Sequence, residues 1–593
     1  MRKNAFPRKK AITNLSNSMN DITYYPNPLK RRERTVILND GFLFSFDNRS
    51  WQKINVPYCP ESKLSGIGYT DFIPECFYKK KFTVEKNRER VVLNFGAVDY
   101  MASVFINGKY VGVHTGGYTP FRYDITNFVN DGENELFLHV RDDKVNNSPR
   151  GKQSYKRNSF GCFYTRTTGI WQSVWLEYTS ENHVRDFYFY PDISTPALKI
   201  DLLTSGRGKY DIEITFGGEI AGRAQGEISF RKTIFVPLSI KKLWKAGEGN
   251  LYDVKIRYEN DEVYSYFGLR EVRYEGMDFL LNGEKTYQRL VLDQGYNPEG
   301  GYTSPGVEYT EADVLRGMRL GFNGARLHQK VFEPAFLYFC DKHGYMVWGE
   351  FPSWGIDFSD NRRLGQFIAE WEETLRRDFN HPSIITWCPL NEIWGNWEEP
   401  DKKGDTRFCQ AVYDFTKLYD KTRPCVDVSG GFHGEKTDVF DFHSYEPVDK
   451  IRGYLKALDE RGELDVPLLY GGETAVKYKM GQPVNFSECG GIALGNGVKD
   501  STDEINEGAV RCECHWGYGK TETRAQAFIK RYAELMRTIY ESKKLSGFCY
   551  TQLYDVEQEV NGFYEYDRKD KFGEEEKNML REITLGKRKE NMI

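Results

Sequence analysis

From residue 23 to about 181 the chain alternates apolar and polar positions in short runs, such as Val91-Val92-Leu93-Asn94-Phe95 and Ser103-Val104-Phe105-Ile106. The runs are broken by the turn dipeptides Asn107-Gly108 and Asp131-Gly132. Successive side chains of a strand face opposite sides, and Asn-Gly accepts the positive φ of a two-residue hairpin turn, so this text predicts antiparallel strands. With no helical period between them, they argue a jelly-roll-like β-sandwich. A second segment, 182–272, keeps the period of two in 212–216 and 254–258 and has the size of an immunoglobulin-like β-sandwich; it carries no cluster of reactive side chains and reads as a spacer. Residues 1–22 are polar and patternless, which predicts a loose tail.

From 273 to 593 apolar strand runs alternate with helix-period stretches. The strand candidates are 290–292, 323–327, 345–348, 384–390, 425–428, 439–442, 484–487 and 547–550, and helical patterns lie at 311–320, 334–342, 364–377, 408–421 and 523–540. Eight strands alternating with helices predict a C-terminal (β/α)8 TIM barrel. One connection breaks the rule, since 430–437 is too short for a helix.

Composition narrows the class. A chain of 593 residues is too long for one core and implies several domains. A net charge of -4 gives no basic footprint, so neither nucleic acid nor an anionic membrane is an expected partner. No apolar signal core follows the basic opening 1–10 and no run approaches a membrane span, so a cytoplasmic protein is expected. Eleven scattered cysteines fit reduced, buried thiols. The cluster Cys512-Glu513-Cys514-His515 lacks the second ligand pair of a tetrahedral site, and no metal or other cofactor is expected.

The chemistry gathers around Arg377-Asp378-Phe379-Asn380-His381-Pro382-Ser383-Ile384 and the apolar run that follows, which delivers Asn391-Glu392 to a strand's carboxyl end, where barrel enzymes act. An acid at a barrel mouth does general acid/base work when a second carboxylate stands close by. The strand-end candidates for the second are Glu350, Glu473, Glu488 and Asp555. Glu488 ends an apolar strand closed by glycines that let the backbone turn away, and Glu473 also follows a short apolar run, before a loop.

The Asn-Glu signature resembles that of glycoside hydrolase family 2. The resemblance extends through Gly116-Gly117-Tyr118-Thr119-Pro120-Phe121 and 164–171 to the family's sugar-binding-like amino-terminal domain, which in relatives packs on the barrel and lends a loop to its mouth. It implies Glu392 as general acid/base, Glu488 as nucleophile in a Ser-Glu-aromatic-Gly-Gly pattern (with Cys489 in place of the aromatic), Arg326 as the cation beside the nucleophile and Tyr445 as its hydrogen-bond donor. Asn391 is suited to the sugar 2-hydroxyl. Asp293, Gln294, Glu350, Trp354 and His443 are expected to line the mouth; His328 stands two beyond the arginine where many relatives have a histidine at three. The floor tryptophan of relatives is missing near Gln552, and Trp354 or Trp516 is the expected platform instead. The Asn-x-Lys lysine of β-glucuronidases is also missing, for Asn561-Gly562 leads to Phe563. The resemblance therefore implies a retaining, exo-acting β-glycosidase, β-galactosidase-like. The alternatives are an enzyme for mannosides, arabinosides or other pentosides and, from another class, a non-catalytic carbohydrate-binding protein. A glycoside is the expected partner, and a homo-oligomer is compatible with the chain.

Overall fold

A computed structural model describes residues 25–87, 89–143, 147–393, 405–466, 478–495, 499–501 and 515–587. The expected tail, the alternative carboxylate Glu473 and the cysteines Cys512 and Cys514 lie outside the described residues.

The first module is a sandwich of a four-stranded sheet containing Arg90–Phe95 and Val174–Thr179 and a six-stranded sheet containing Glu75–Val84 and Gly132–Arg141. Its core interleaves Phe44, Tyr78, Leu93, Val104, Leu138 and Leu176. Asn107 and Gly108 both have positive φ, and they close the hairpin between Met101–Ile106 and Lys109–Thr115. The second module is built on one long hairpin, Ala197–Phe216 with Glu219–Pro237. A register shift between Leu203 and Arg207 bends it.

Arg32 pins the two sandwiches together: its Nη1 lies 2.7 Å from Glu177 Oε2 and its Nε 3.0 Å from Asp261 Oδ1, all three side chains being buried. Truncating one member of a buried ion cluster strands the others without a counter-charge. Arg32→Met is expected to lower stability by about 3–5 kcal/mol, read as a lower urea midpoint of tryptophan fluorescence; an unchanged midpoint would remove this contact from the account.

In the third module seven parallel strands stand in the order Ile384–Cys388, Met346–Glu350, Gly324–Leu327, Gln288–Asp293, Leu545–Thr551, Val484–Gly490 and Phe440–Ser444. The expected fifth strand, 425–428, differs. It is not a continuous strand but joins the edge of Ile384–Cys388 through parallel bridges at Cys425 and Ser429. The cause is local: Asp438, Thr437 and Asp441 side chains take the backbone N–H groups of Cys425, Asp427 and Gly430, so these donors are spent on side chains instead of a neighbouring ladder. On its other side this stretch reaches the second edge strand through a side chain, Ser429 Oγ lying 2.6 Å from Asp441 Oδ2.

The expected helices lie at Val307–Arg319, Pro334–His343, Leu364–Asp378, Thr406–Tyr419 and Ala525–Glu541, and two more are formed by Val448–Arg461 and Glu574–Thr584. Among the described residues no helix is long and apolar enough to cross a membrane.

The first module shares a core with the barrel. Tyr118, Tyr164 and Trp171 pack in the same buried cluster as Tyr296 and Tyr302, and the Tyr118 and Tyr302 hydroxyls are 3.2 Å apart. This docking fixes the loop 147–168 over the carboxyl ends of the barrel strands. There Trp354 O accepts from Arg150 N and Gly151 N, at 2.7 and 3.1 Å. Gly151, at φ +60, passes so close to Gln329 O that a Cβ would sit 2.2 Å from it, so only glycine lets the loop descend here.

Candidate active site

Three glutamates, an arginine and a histidine meet at the carboxyl ends of the strands. Glu488, near the end of Val484–Gly490, accepts from Arg326 Nη1 at 2.5 Å and from Tyr445 OH at 2.6 Å. Arg326 is fully buried at the end of Gly324–Leu327, pairs with Glu350 at 2.8 Å and also donates to Asn391 Oδ1. Glu392 stands in a left-handed backbone conformation, φ 47, four residues past the end of Ile384–Cys388, with its N–H donated to Ser429 O. Its Oε1 lies 2.6 Å from His443 Nδ1, and the same nitrogen lies 3.5 Å from Glu488 Oε2. One oxygen from each carboxyl group and one His443 nitrogen all lie within 4.8 Å of one another. A cation could be held by these three atoms only at the cost of both carboxylates.

The two acids are driven apart in pKa. Burial works to raise that of Glu488, but His443, Arg326, His328 and Lys152 outweigh it and hold the group far below the usual carboxylate range. Glu392 is pushed up, first by burial and then by the negative charge of Glu488. Burial likewise raises Glu350, to about 7, against the opposing pull of Arg326. One acid is thus suited to remain ionised while the other keeps a proton.

Asn391 Nδ2 is buried and, among the described residues, has no hydrogen-bond partner, while its Oδ1 is held by Arg326. A buried donor without a partner is costly in the free protein, and a ligand oxygen would satisfy it. His328 Nδ1 lies 3.0 Å from Glu350 Oε1 without a hydrogen bond between them, and burial pushes the ring's pKa well below the usual imidazole range.

Several expected mouth residues are placed differently. Asp293 is buried, and its Oδ1 accepts from Tyr554 OH and from Gly295 N, so it secures the loop after the first strand. Gln294 and Gln552 bond one another at 2.6 Å; Gln294 also donates to Tyr164 OH and Gln552 to Asn561 Oδ1. Trp516 is fully buried, with its Nε1–H on Gly161 O, and offers no face to a sugar; the first module's loop covers it. Trp354 remains at the site, with its indole N–H on Asn391 O at 2.9 Å.

One participant was missed by motif reading. Lys152, on the first module's loop, holds its ammonium 5.6 Å from the Trp354 ring centroid and 5.9 Å from that of Tyr164. Among the described residues its Nζ has no hydrogen bond or ion pair. Burial acts to lower its pKa, yet Glu559, Cys162, Glu488 and Glu392 together raise it, so it remains a cation facing the carboxylates. Only its place beside a loop glycine hinted at this, because nothing local in a sequence says which barrel a sandwich loop will meet.

Comparison with known proteins agrees with the architecture. Residues 55–179 match the model of the glycosyl hydrolases family 2 sugar binding domain, 182–270 the model described as glycosyl hydrolases family 2, and 278–567 that of the family 2 TIM barrel domain. The chain is 27% identical over 436 residues to a beta-galactosidase of Thermoanaerobacter pseudethanolicus, covering 69% of this chain and 56% of that protein. It is 26% identical over 464 residues to a beta-glucuronidase of Rattus norvegicus, covering 72% and 69%. The chain thus spans little more than half the length of the first of these relatives. Among solved structures, a β-D-glucuronidase of Dictyoglomus thermophilum has the same fold at 20% identity, with a TM-score of 0.75 over 95% of this chain and 98% of that one. A β-galacturonidase of Eisenbergiella tayi bound to glycerol is similar at 19% identity and a TM-score of 0.72, covering 94% and 97%.

Proposed function

The chain belongs to glycoside hydrolase family 2, and from that premise we propose that it is a retaining, exo-acting β-glycosidase working by double displacement. The observation that carries this reading is the approach of the two carboxyl groups to within 4.8 Å with their pKa values driven in opposite directions. A retaining enzyme needs its carboxyls roughly 5–5.5 Å apart, whereas an inverting one leaves about 6.5–9.5 Å for a water.

In the first step Glu488 attacks the anomeric carbon and forms a C–O bond as the bond to the leaving oxygen breaks, and Glu392 gives that oxygen its proton. In the second, Glu392 as a base takes a proton from water, whose oxygen attacks the same carbon and releases Glu488. Arg326 and Tyr445 hold the nucleophile ionised and aimed. Asn391 Nδ2 donates to the sugar 2-hydroxyl as charge develops on the ring. The loop carrying Lys152 and Tyr164 bounds one side of the mouth, which favours a terminal sugar.

A β-galactoside is the first reading of the glycone. At the position where an Asn-x-Lys motif would supply a lysine, Phe563 is buried against Tyr550 and Phe528 and offers no charge to a uronate. Lys152 favours a second reading, a uronide, because it is a cation in the site without a direct anionic partner among the described residues. Turnover of p-nitrophenyl β-galactoside, glucuronide, galacturonide, mannoside and arabinosides separates the two. The galactoside is expected to be hydrolysed fastest, and a uronide outrunning it tenfold would overturn that order. In that event Lys152→Met is expected to raise KM for the uronide about 10- to 100-fold with kcat little changed, the size of a lost hydrogen bond to a charged group. Silence on every glycoside from folded protein would favour the carbohydrate-binding alternative.

A further inference from the structure

Behind His443 lies a line of buried polar groups that the mechanism above does not use. The ring's Nδ1 meets Glu392 Oε1 at 2.6 Å, and on its other side Nε2 lies 3.0 Å from Ser429 Oγ. Ser429 Oγ is 2.6 Å from Asp441 Oδ2, to which Ser487 Oγ also donates. Asp441 is held in turn by His433, whose Nε2 lies 2.8 Å from its backbone oxygen and 3.3 Å from its Oδ1, while His433 Nδ1 lies 2.7 Å from Asp427 Oδ1. Burial opposes a charge on His433, but the two aspartates push its pKa up to about 9, so at neutral pH it is a cation that anchors Asp441. Gly430, whose Cβ would lie 2.3 Å from the His443 ring, lets the ring seat against the backbone beside Ser429.

The direction of each hydrogen bond follows from the number of protons available. Ser429 has one hydroxyl proton and three neighbours: the Asp441 carboxylate at 2.6 Å, the His443 nitrogen at 3.0 Å and Ser487 Oγ at 3.4 Å. A bond to a charged acceptor is the stronger, so the proton goes to Asp441 and the Ser429 oxygen presents a lone pair to Nε2. Arg326 Nη1 also stands 3.5 Å from Nε2 but is committed to Glu488 at 2.5 Å. Nε2 must then carry hydrogen. Nδ1 and Glu392 Oε1 then share one proton: burial favours the neutral ring with the proton on Glu392, while the charges of Glu488 and Glu392 draw the ring's pKa up.

We propose that Asp441 and Ser429 are positioning residues that fix His443 as its Nε2–H tautomer, so that Nδ1 accepts from Glu392 and holds the acid's proton where the leaving oxygen needs it. The inference rests on the reading of Glu392 as acid/base. Without the Ser429 hydroxyl, His443 is free to carry hydrogen on Nδ1 and donate to Glu392, which favours the carboxylate and lowers the acid's pKa. The other titratable groups facing the ring, Glu488 and Arg326 with Glu350, Lys152 and the His328 ring that burial keeps neutral beyond them, are unchanged by that substitution.

The test compares kcat/KM against pH for wild type and Ser429→Ala on phenyl and 2,4-dinitrophenyl glycosides of the sugar the enzyme prefers. A dinitrophenolate departs without acid help, whereas a phenolate needs it. For the phenyl glycoside the alkaline limb, where Glu392 loses its proton, is expected to move to lower pH by about one unit, a tenfold loss above that limb. The dinitrophenyl glycoside should be changed less than threefold. An unmoved limb, or an equal loss on both substrates, overturns the proposal. A second measurement does not depend on activity: the imidazole 15N–1H spectrum of histidine-labelled wild type, with the His443 signal identified by its loss in His443→Asn. Hydrogen on Nε2 with none on Nδ1 supports the proposal, and a ring protonated at Nδ1, whether neutral or doubly protonated, overturns it. An enzyme silent on all glycosides would defeat the functional reading, and the spectrum would still decide the tautomer.

Discussion

Glu488→Gly is expected to lower kcat on the preferred aryl β-glycoside by about 10⁴-fold or more, the scale on which loss of a covalent nucleophile leaves only binding and electrostatics. The fold should survive, because the substitution removes a charge from the edge of the site while Arg326 keeps Glu350 as its counter-ion at 2.8 Å. Glycine leaves a void beside the anomeric carbon that a small anion can enter, and Arg326 favours an anion there. Azide is therefore expected to restore release of the aryl group, and since it attacks from the face that Glu488 occupied, the product is the α-glycosyl azide. Removing the nucleophile's charge also removes one of the two causes that raise Glu392, so the rescued reaction should lose its alkaline limb at a lower pH than the wild type. Full activity in the variant would transfer the nucleophile's role elsewhere.

Glu392→Gln should behave in a way no nucleophile variant can. Protonating the leaving oxygen is worth about 10²–10⁴-fold when the leaving group is poor. kcat/KM on a phenyl glycoside is expected to fall on that scale, and on a 2,4-dinitrophenyl glycoside to change less than about tenfold. The second step still lacks its base, so the glycosyl-enzyme accumulates and a burst of dinitrophenolate should precede slow turnover. Azide needs no deprotonation and attacks the covalent intermediate, giving the β-glycosyl azide; opposite anomers from the two variants assign the two glutamates independently. In wild type the pH dependence of kcat/KM follows from the same pair. Activity requires Glu488 ionised and Glu392 protonated, so it is lost as pH falls through the Glu488 pKa and as it rises through that of Glu392. Arg326 and His443 hold the first below the usual carboxylate range and burial holds the second above it, which sets a plateau wider than two ordinary carboxyl groups would give. An equal loss on both leaving groups would remove Glu392 from the acid's role.

The strand periods, the Asn107-Gly108 turn, the existence of five of the helices and the strand-end position of Glu392 were legible in the sequence because each depends on neighbours within a few residues. A two-residue hairpin needs positive φ at both positions wherever it occurs, and both residues here adopt it. The irregular fifth stave was not legible, because what decides it is competition between a neighbouring strand and three side chains brought from 437–441. Trp516 read as a platform for the same reason: a tryptophan's wish to be covered is local, but the first module's loop that covers it arrives from more than 350 residues away.

By itself the sequence determined three β-rich or barrel segments in order, the family to which they are similar and the pair of glutamates at strand ends, since periodicity and motif are properties of the chain alone. Only the tertiary structure decided that the two carboxyl groups approach within 4.8 Å, that Arg326 serves both Glu488 and Glu350, that Lys152 enters the site from another module, and that Ser429 and Asp441 stand behind His443. Charge interactions fall off with distance and rise with burial, and both quantities exist only after strands far apart in the chain have been closed into one barrel.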